Sequence, residues 1–244
     1  MNILICNDDG IFSEGLKTLA RFLSKNNSVY VMAPDGNRSA YSHSMSFYKK
    51  LVLKRVEQSE DYLSYSLSGT PADCVRFGVE YFKDVKFDLV VSGVNNGSNA
   101  GTDTLYSGTV SACFEACILK IPSIAFSLVC GKENANYDTL TEQLSEVFPF
   151  LLSNVSKDYV LNVNFPDKKH NGVKICKLGV QLYSDRYIKN DDGSYMLVGD
   201  LLKNDKNDDD CDVEWLRKDY ITITPLITDR TAYDTLKVLS KEVK

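Results

Sequence analysis

Apolar and polar positions along the 244-residue chain follow two different periods. Residues 2–6 form a short run rich in Ile and Leu, and 29–33 form a second that closes at Pro34. Runs this short, apolar toward both faces, predict buried strands. The segments 87–91 and 123–128 read the same way. Between them the period lengthens. Within 13–23, Leu16, Leu19, Ala20 and Leu23 recur at helical spacing, with Ser13 placed to cap the helix start. Helices are also predicted over 72–82 and 109–119. Strands separated by helix-length crossovers predict an α/β fold with a Rossmann-like, doubly wound and mostly parallel sheet.

The pattern changes twice. Residues 47–55 and 62–67 predict an antiparallel pair inserted after the second strand. A helix over 139–152 and a strand over 159–164, ending at Pro166, follow. Segments 173–182 and 194–198 flank Asn190-Asp191-Asp192-Gly193, whose Asp-Gly is a hairpin turn signal. An exposed acidic loop is expected at 204–212, a strand at 220–224 and a terminal helix at 231–238. No linker interrupts this series. The expectation is one domain over 1–244, with an α/β core over about 1–165 and a C-terminal antiparallel extension over about 166–244.

A formal net charge of -5 and a pI of about 5.2 argue against a nucleic-acid polymer as partner, because an acidic surface repels a phosphate backbone. A small phosphorylated ligand is still compatible, since one bound cation reverses the local field. No apolar run approaches the roughly 20 residues of a membrane span. The first residues lack the basic segment and apolar length of a leader, so a cytoplasmic location is expected. The 7 cysteines (Cys6, Cys74, Cys113, Cys117, Cys130, Cys176 and Cys211) lie mostly in apolar segments, as reduced buried thiols do.

In a doubly wound sheet, ligands bind at the loops after the strand ends. Asn7-Asp8-Asp9-Gly10 stands at such a point and offers two adjacent carboxylates, hard donors suited to Mg²⁺ or Mn²⁺. A polar turn that happens to hold two Asp would read identically. The loop after the second strand, Ala33-Pro34-Asp35-Gly36-Asn37-Arg38-Ser39, can bring the Ser39 hydroxyl to the same ion and Arg38 to a phosphate, though it also resembles any surface loop. The third is Ser92-Gly93-Val94-Asn95-Asn96-Gly97-Ser98-Asn99, in which Asn95 can offer a carbonyl oxygen. Tyr106-Ser107-Gly108-Thr109-Val110 follows at a helix start, where backbone N–H groups make an anion site and Ser or Thr also caps.

Together with Gly69-Thr70-Pro71-Ala72-Asp73-Cys74, Asn162-Val163-Asn164 and Tyr220-Ile221-Thr222-Ile223-Thr224-Pro225-Leu226, these motifs resemble the SurE family of survival-protein nucleotidases over nearly the whole chain. The resemblance implies one divalent metal ion per subunit, Mg²⁺ or Mn²⁺, held by Asp8, Asp9, Ser39 and Asn95. It implies a phosphate pocket lined by Asn96, Asn99, Ser107, Gly108 and Thr109, with Asp8, Asp9, Asn95 and Ser107 as catalytic residues. It also implies a homodimer or homotetramer assembled through the C-terminal arm. The segment 189–212 departs from the family pattern, with Cys211-Asp212 standing where the family has Thr-Asp. His43 falls at a position the family varies.

The function expected on this basis is metal-dependent hydrolysis of nucleoside 5'-monophosphates by an activated water, with 3'-monophosphates and short polyphosphate as further candidate substrates. Two rival classes remain open from sequence. A phosphoacceptor domain needs an acceptor Asp after the central strand and a Lys at a later strand end, whereas Val91 leads into Ser92-Gly93 and Phe126-Ser127-Leu128 holds no Lys. A nucleotide-binding module without turnover is separated only by assay.

Overall fold

The computed structural model describes residues 1–57, 59–129, 135–204 and 207–242. In chain order its elements are β1 (Asn2–Cys6), α1 (Glu14–Ser24), β2 (Ser28–Pro34), β3 (Leu53–Arg55), β4 (Leu63–Leu67), α2 (Pro71–Tyr81), β5 (Leu89–Asn96), α3 (Gly108–Ile118), β6 (Ser123–Val129), α4 (Tyr137–Asn154) and β7 (Val160–Pro166). They continue with β8 (Val173–Ile175), β9 (Leu182–Tyr183), β10 (Arg186–Lys189), β11 (Tyr195–Val198), β12 (Leu201–Leu202), α5 (Asp212–Arg217), β13 (Ile221–Leu226) and α6 (Tyr233–Glu242). A 3₁₀ turn, Gly101–Leu105, precedes α3.

Nine strands form one sheet in the order β3-β4-β2-β1-β5-β6-β7-β13-β8. From β4 to β7 every neighbour pairs in parallel. β13 runs antiparallel to β7, and β8 lies parallel to β13 at the edge. Helices α1 and α4 cover one face, where Leu16, Leu19, Leu23, Leu140 and Leu144 pack on Ile3, Ile5, Val91 and Phe126. Leu4, Cys6, Met32 and Val90 face the other way, toward Cys74 and Val75 of α2 and Ala112 and Ala116 of α3. Continuous burial of the central strands explains why their sequences show no alternation. The doubly wound sheet expected from the sequence is therefore present.

Three expectations need correction. Only Leu53–Arg55 of the 47–55 segment pairs with β4; residues 47–50 are exposed loop. The hairpin around Asn190–Gly193 is real, with Gly193 at φ +85° and the Asn190 N–H donating to the Ser194 carbonyl at 2.8 Å. Its first strand is β10, however, whereas β8 joins the main sheet and β9 pairs with β12. Alternation identifies a strand but not its partner. The 204–212 segment is not uniformly exposed, since Asn204, Cys211 and Asp212 are buried. Residues 205 and 206 of that loop, and Cys130, lie outside the described residues. The other six cysteines are free and buried. No described helix is long and apolar enough to cross a membrane.

Candidate metal and phosphate site

The loop after β1 is shaped by Asn7, whose role the sequence reading did not single out. Its buried amide donates to the Gly10 carbonyl at 3.0 Å and to Ser13 Oγ at 2.7 Å, and it accepts from the Gly10 N–H at 3.2 Å. Those bonds close a tight turn that presents Asp8 and Asp9 and fastens it to the start of α1. Gly10 sits at φ +100°, and a Cβ there would come within 3.0 Å of the Gly36 backbone, so the first and second loops touch only because no side chain intervenes.

Asp8 and Asp9 are where the loops meet. The Arg38 N–H donates to the Asp8 carbonyl at 2.6 Å, and the Ile11 N–H donates to the Pro34 carbonyl at 2.8 Å, tying in the loop that carries Ser39. The Asn96 N–H donates to Asp9 Oδ2 at 3.2 Å, tying in the loop after β5. Thr109 Oγ1 donates to Asp8 Oδ1 in a short bond, tying in the start of α3. A Cβ on Gly108 would stand 2.9 Å from Asp8 Oδ2, so glycine is required where the helix meets the carboxylate. Loops following three parallel strands and one helix start thus converge around two carboxylates.

The electrostatics are those of a site short of positive charge. Burial, with the neighbouring Asp9 charge adding to it, pushes Asp8 up to about 6, against the pull of the Thr109 hydroxyl. Burial raises Asp9 too, against the Asn96 N–H. Neither carboxylate takes part in an ion pair among the described residues; Arg38 is turned to Asp35 at 2.7 Å instead. Two adjacent carboxylates without a counter-charge are costly to bury. A hard dication would offset that cost, and the nearby oxygens of hydroxyl and amide groups suit it. No three His, Cys, Asp or Glu side chains gather as a metal cluster among the described residues, so an ion here would take its remaining donors from neutral groups.

The other candidate residues are placed as follows. Ser39 is exposed, its N–H bound to Asn37 Oδ1 at 2.9 Å. Asn95 is half-buried and donates through its amide to the Gly97 carbonyl at 2.9 Å. Asn96 is exposed beside Asp9. Ser107 is the N-cap of α3, its Oγ accepting from the Val110 N–H at 3.0 Å. Asn99 turns into the protein: its amide donates to Ser127 Oγ at 2.8 Å, its N–H to Asn164 Oδ1 at 2.8 Å, and Asn162 donates to its carbonyl at 2.7 Å. Asn99 thereby fixes the loop that carries Asn95 and Asn96. The far end of this loop is held by Asp212, which accepts from the Gly101 N–H at 2.8 Å and the Gly179 N–H at 2.7 Å. Spacing could not have revealed Asp212, which lies 111 residues from Gly101.

Comparison with known proteins identifies the family. The family described as Survival protein SurE matches residues 3–185. The chain belongs to the SurE family. A 5'-nucleotidase SurE from Clostridium botulinum (strain Loch Maree / Type A3) is 39% identical, with 97% of each chain covered. One from Petrotoga mobilis is 38% identical, with 98% of each covered. The crystal structure of the SurE protein from Aquifex aeolicus superposes with a TM-score of 0.82 at 32% identity, covering 100% of both chains.

Proposed function

We propose that the chain is a divalent-metal-dependent 5'-nucleotidase that hydrolyses nucleoside monophosphates, with Asp8, Asp9, Ser39 and Asn95 as the metal ligands. The observation that carries this reading is the junction of Asp8 with Asp9, Thr109 and Gly108, where a pair of carboxylates in no ion pair with a described Lys, Arg or His abuts the start of α3. Relatives named 5'-nucleotidase at 38–39% identity over nearly the full length support the substrate class.

A bound dication would supply charge neutralisation for phosphoryl oxygens and a lowered pKa for water. The chain's own groups do the rest. The first N–H groups of α3 have no partner within the helix and carry the positive end of its dipole, so they suit a phosphate. Ser107, with its oxygen accepting the Val110 N–H, keeps its proton to donate to a phosphate oxygen. Asn96 offers a further donor at the exposed rim. Thr109 and Asn7 hold the Asp8–Asp9 turn still, so these charges are preorganised and do not reorient during reaction. Within the C-terminal arm, β9 to β12 and α6 expose Leu182, Tyr187, Leu197, Leu201, Leu236 and Leu239, which supports a second copy of the chain as partner in a homodimer or homotetramer.

A panel of 5'- and 3'-nucleoside monophosphates, assayed for phosphate release with Mn²⁺, Mg²⁺ or EDTA, tests the reading. Release is expected from 5'-monophosphates, silenced by EDTA, and lower by at least about 10²–10³-fold in Asp8→Asn or Asp9→Asn. No release from any nucleotide with either metal would overturn it.

A further inference from the structure

The loop between β2 and β3 carries Ser39 yet has little regular structure of its own. Ala40, Ser42 and Tyr48 all sit in the left-handed region, at φ 62°, 52° and 61°. Non-glycine residues hold such conformations only where surrounding contacts compel them. The contacts are specific. The Ser42 N–H donates to the Tyr106 carbonyl at 3.1 Å and its hydroxyl to the Leu105 carbonyl at 2.7 Å, both just before α3. Thr70 Oγ1 donates to the Ser44 carbonyl at 2.7 Å, and the Ser46 N–H donates to Asp73 Oδ1 at 3.0 Å, both at the start of α2.

The remaining tether is of another kind. His43 Nε2 lies 2.9 Å from Glu115 Oε2, with its ring tilted over Phe114. Glu115 is the one charged residue of α3, and its side chain is only 2% exposed. Arg76 of α2 pairs with its other oxygen. A carboxylate buried in an otherwise uncharged helix is costly unless partnered, and here its partners are a surface-loop histidine and an arginine from α2. Burial pushes Glu115 up, but His43 and Arg76 outweigh it and hold the carboxyl below its usual range. Glu115 stands about two turns along α3 from Gly108. The same helix therefore meets Asp8 at its start and the Ser39 loop further down.

We propose that His43 is a positioning residue: through Glu115 it clamps the loop of residues 37–46 onto α3 and so fixes Ser39 relative to Asp8 and the α3 start. The proposal rests on the metal-site reading above. It gives His43 a role distinct from that of a general acid, since its Nε2 is engaged with Glu115 rather than directed at substrate. Loss of the clamp loosens the loop, which keeps its Ser42, Ser44 and Ser46 hydrogen bonds, and Ser39 then reaches the ion at an added ordering cost.

The test uses the full chain and compares wild type with His43→Ala and His43→Gln, whose side-chain N–H can take the place of Nε2–H. Mn²⁺ affinity is read from the free-ion EPR signal, alongside kcat, KM and the unfolding midpoint. In His43→Ala, Mn²⁺ affinity is expected to fall by about 10-fold or more, as for other residues that orient a ligand. The kcat at fixed Mn²⁺ falls with it, the nucleotide KM changes less, and the midpoint stays within a few degrees. Gln restores most of the Mn²⁺ affinity. Wild-type affinity in His43→Ala, or Gln as impaired as Ala, would overturn the clamp. Absence of Mn²⁺ binding and turnover in wild type would instead overturn the metal site itself, so the two failures are distinguishable.

Discussion

The core and the C-terminal arm treat apolar side chains in opposite ways. In the core, Phe126 and Phe165 are fully buried between sheet and helices. In the arm, Tyr187 is 72% exposed, Leu197 52% and Leu239 54%. Helix α6 buries none of its residues, and β10–β11 form a two-stranded sheet by themselves. An isolated pair of strands or a short helix has little stability in water alone. The core thus contains what it needs to fold, whereas α6 and the β10–β11 pair leave large apolar side chains uncovered. The proposed metal and phosphate site belongs to the self-sufficient region, and Asp212 and Gln181 connect it to the root of the arm.

The largest contrast is in packing. Phe126→Ala should cost about 3–5 kcal/mol in urea unfolding, since it leaves a cavity in a fully enclosed site. An equal penalty for Leu197→Ala in dilute solution would erase the distinction between the regions.

The next effect concerns charge inside the core. In metal-free protein Asp8 sits at about 6, above its ordinary 3.8. Between those values the folded state binds a proton that the unfolded state has released, so stability falls as pH rises through that window. The loss is on the order of 3 kcal/mol and is complete above the folded value. Asp8→Asn removes this burden while keeping an acceptor for Thr109. With EDTA present, the variant should be more stable than wild type at pH 7.5 and equal to it near pH 4. The opposite ordering would mean that Asp8 is not an uncompensated charge.

The smallest effect on chain stability belongs to the arm. Leu236→Asp on α6 should leave the unfolding of the core within about 0.5 kcal/mol, as exposed substitutions do. Light scattering should nonetheless show a lower mass. An unchanged mass for this variant and for Leu239→Asp would remove α6 from the interface.

The same division governed what the sequence could reveal. The strands at 2–6, 29–33 and 123–128 correspond closely to β1, β2 and β6, because a strand buried on both faces must be continuously apolar. β5 was read short, at 87–91, because its second half is the polar Ser92–Asn96 stretch that carries the site. Asp8, Asp9 and the α3 start were legible from their positions after strands. The inward turn of Asn99 was not, since it depends on Ser127, Asn162 and Asn164 from strands far along the chain. In the arm, the Asp-Gly signal marks a hairpin without fixing which strands it joins, so 173–182, expected beside it, pairs elsewhere.

Asp8 and Asp9, with Ser39 and Asn95, are proposed to hold one dication beside the start of α3. Crystals grown with Mn²⁺ and measured at the manganese absorption edge test it most directly. One anomalous peak per chain is expected, within bonding distance of oxygens of those residues. A peak elsewhere in the chain, or none at saturating Mn²⁺, would contradict it.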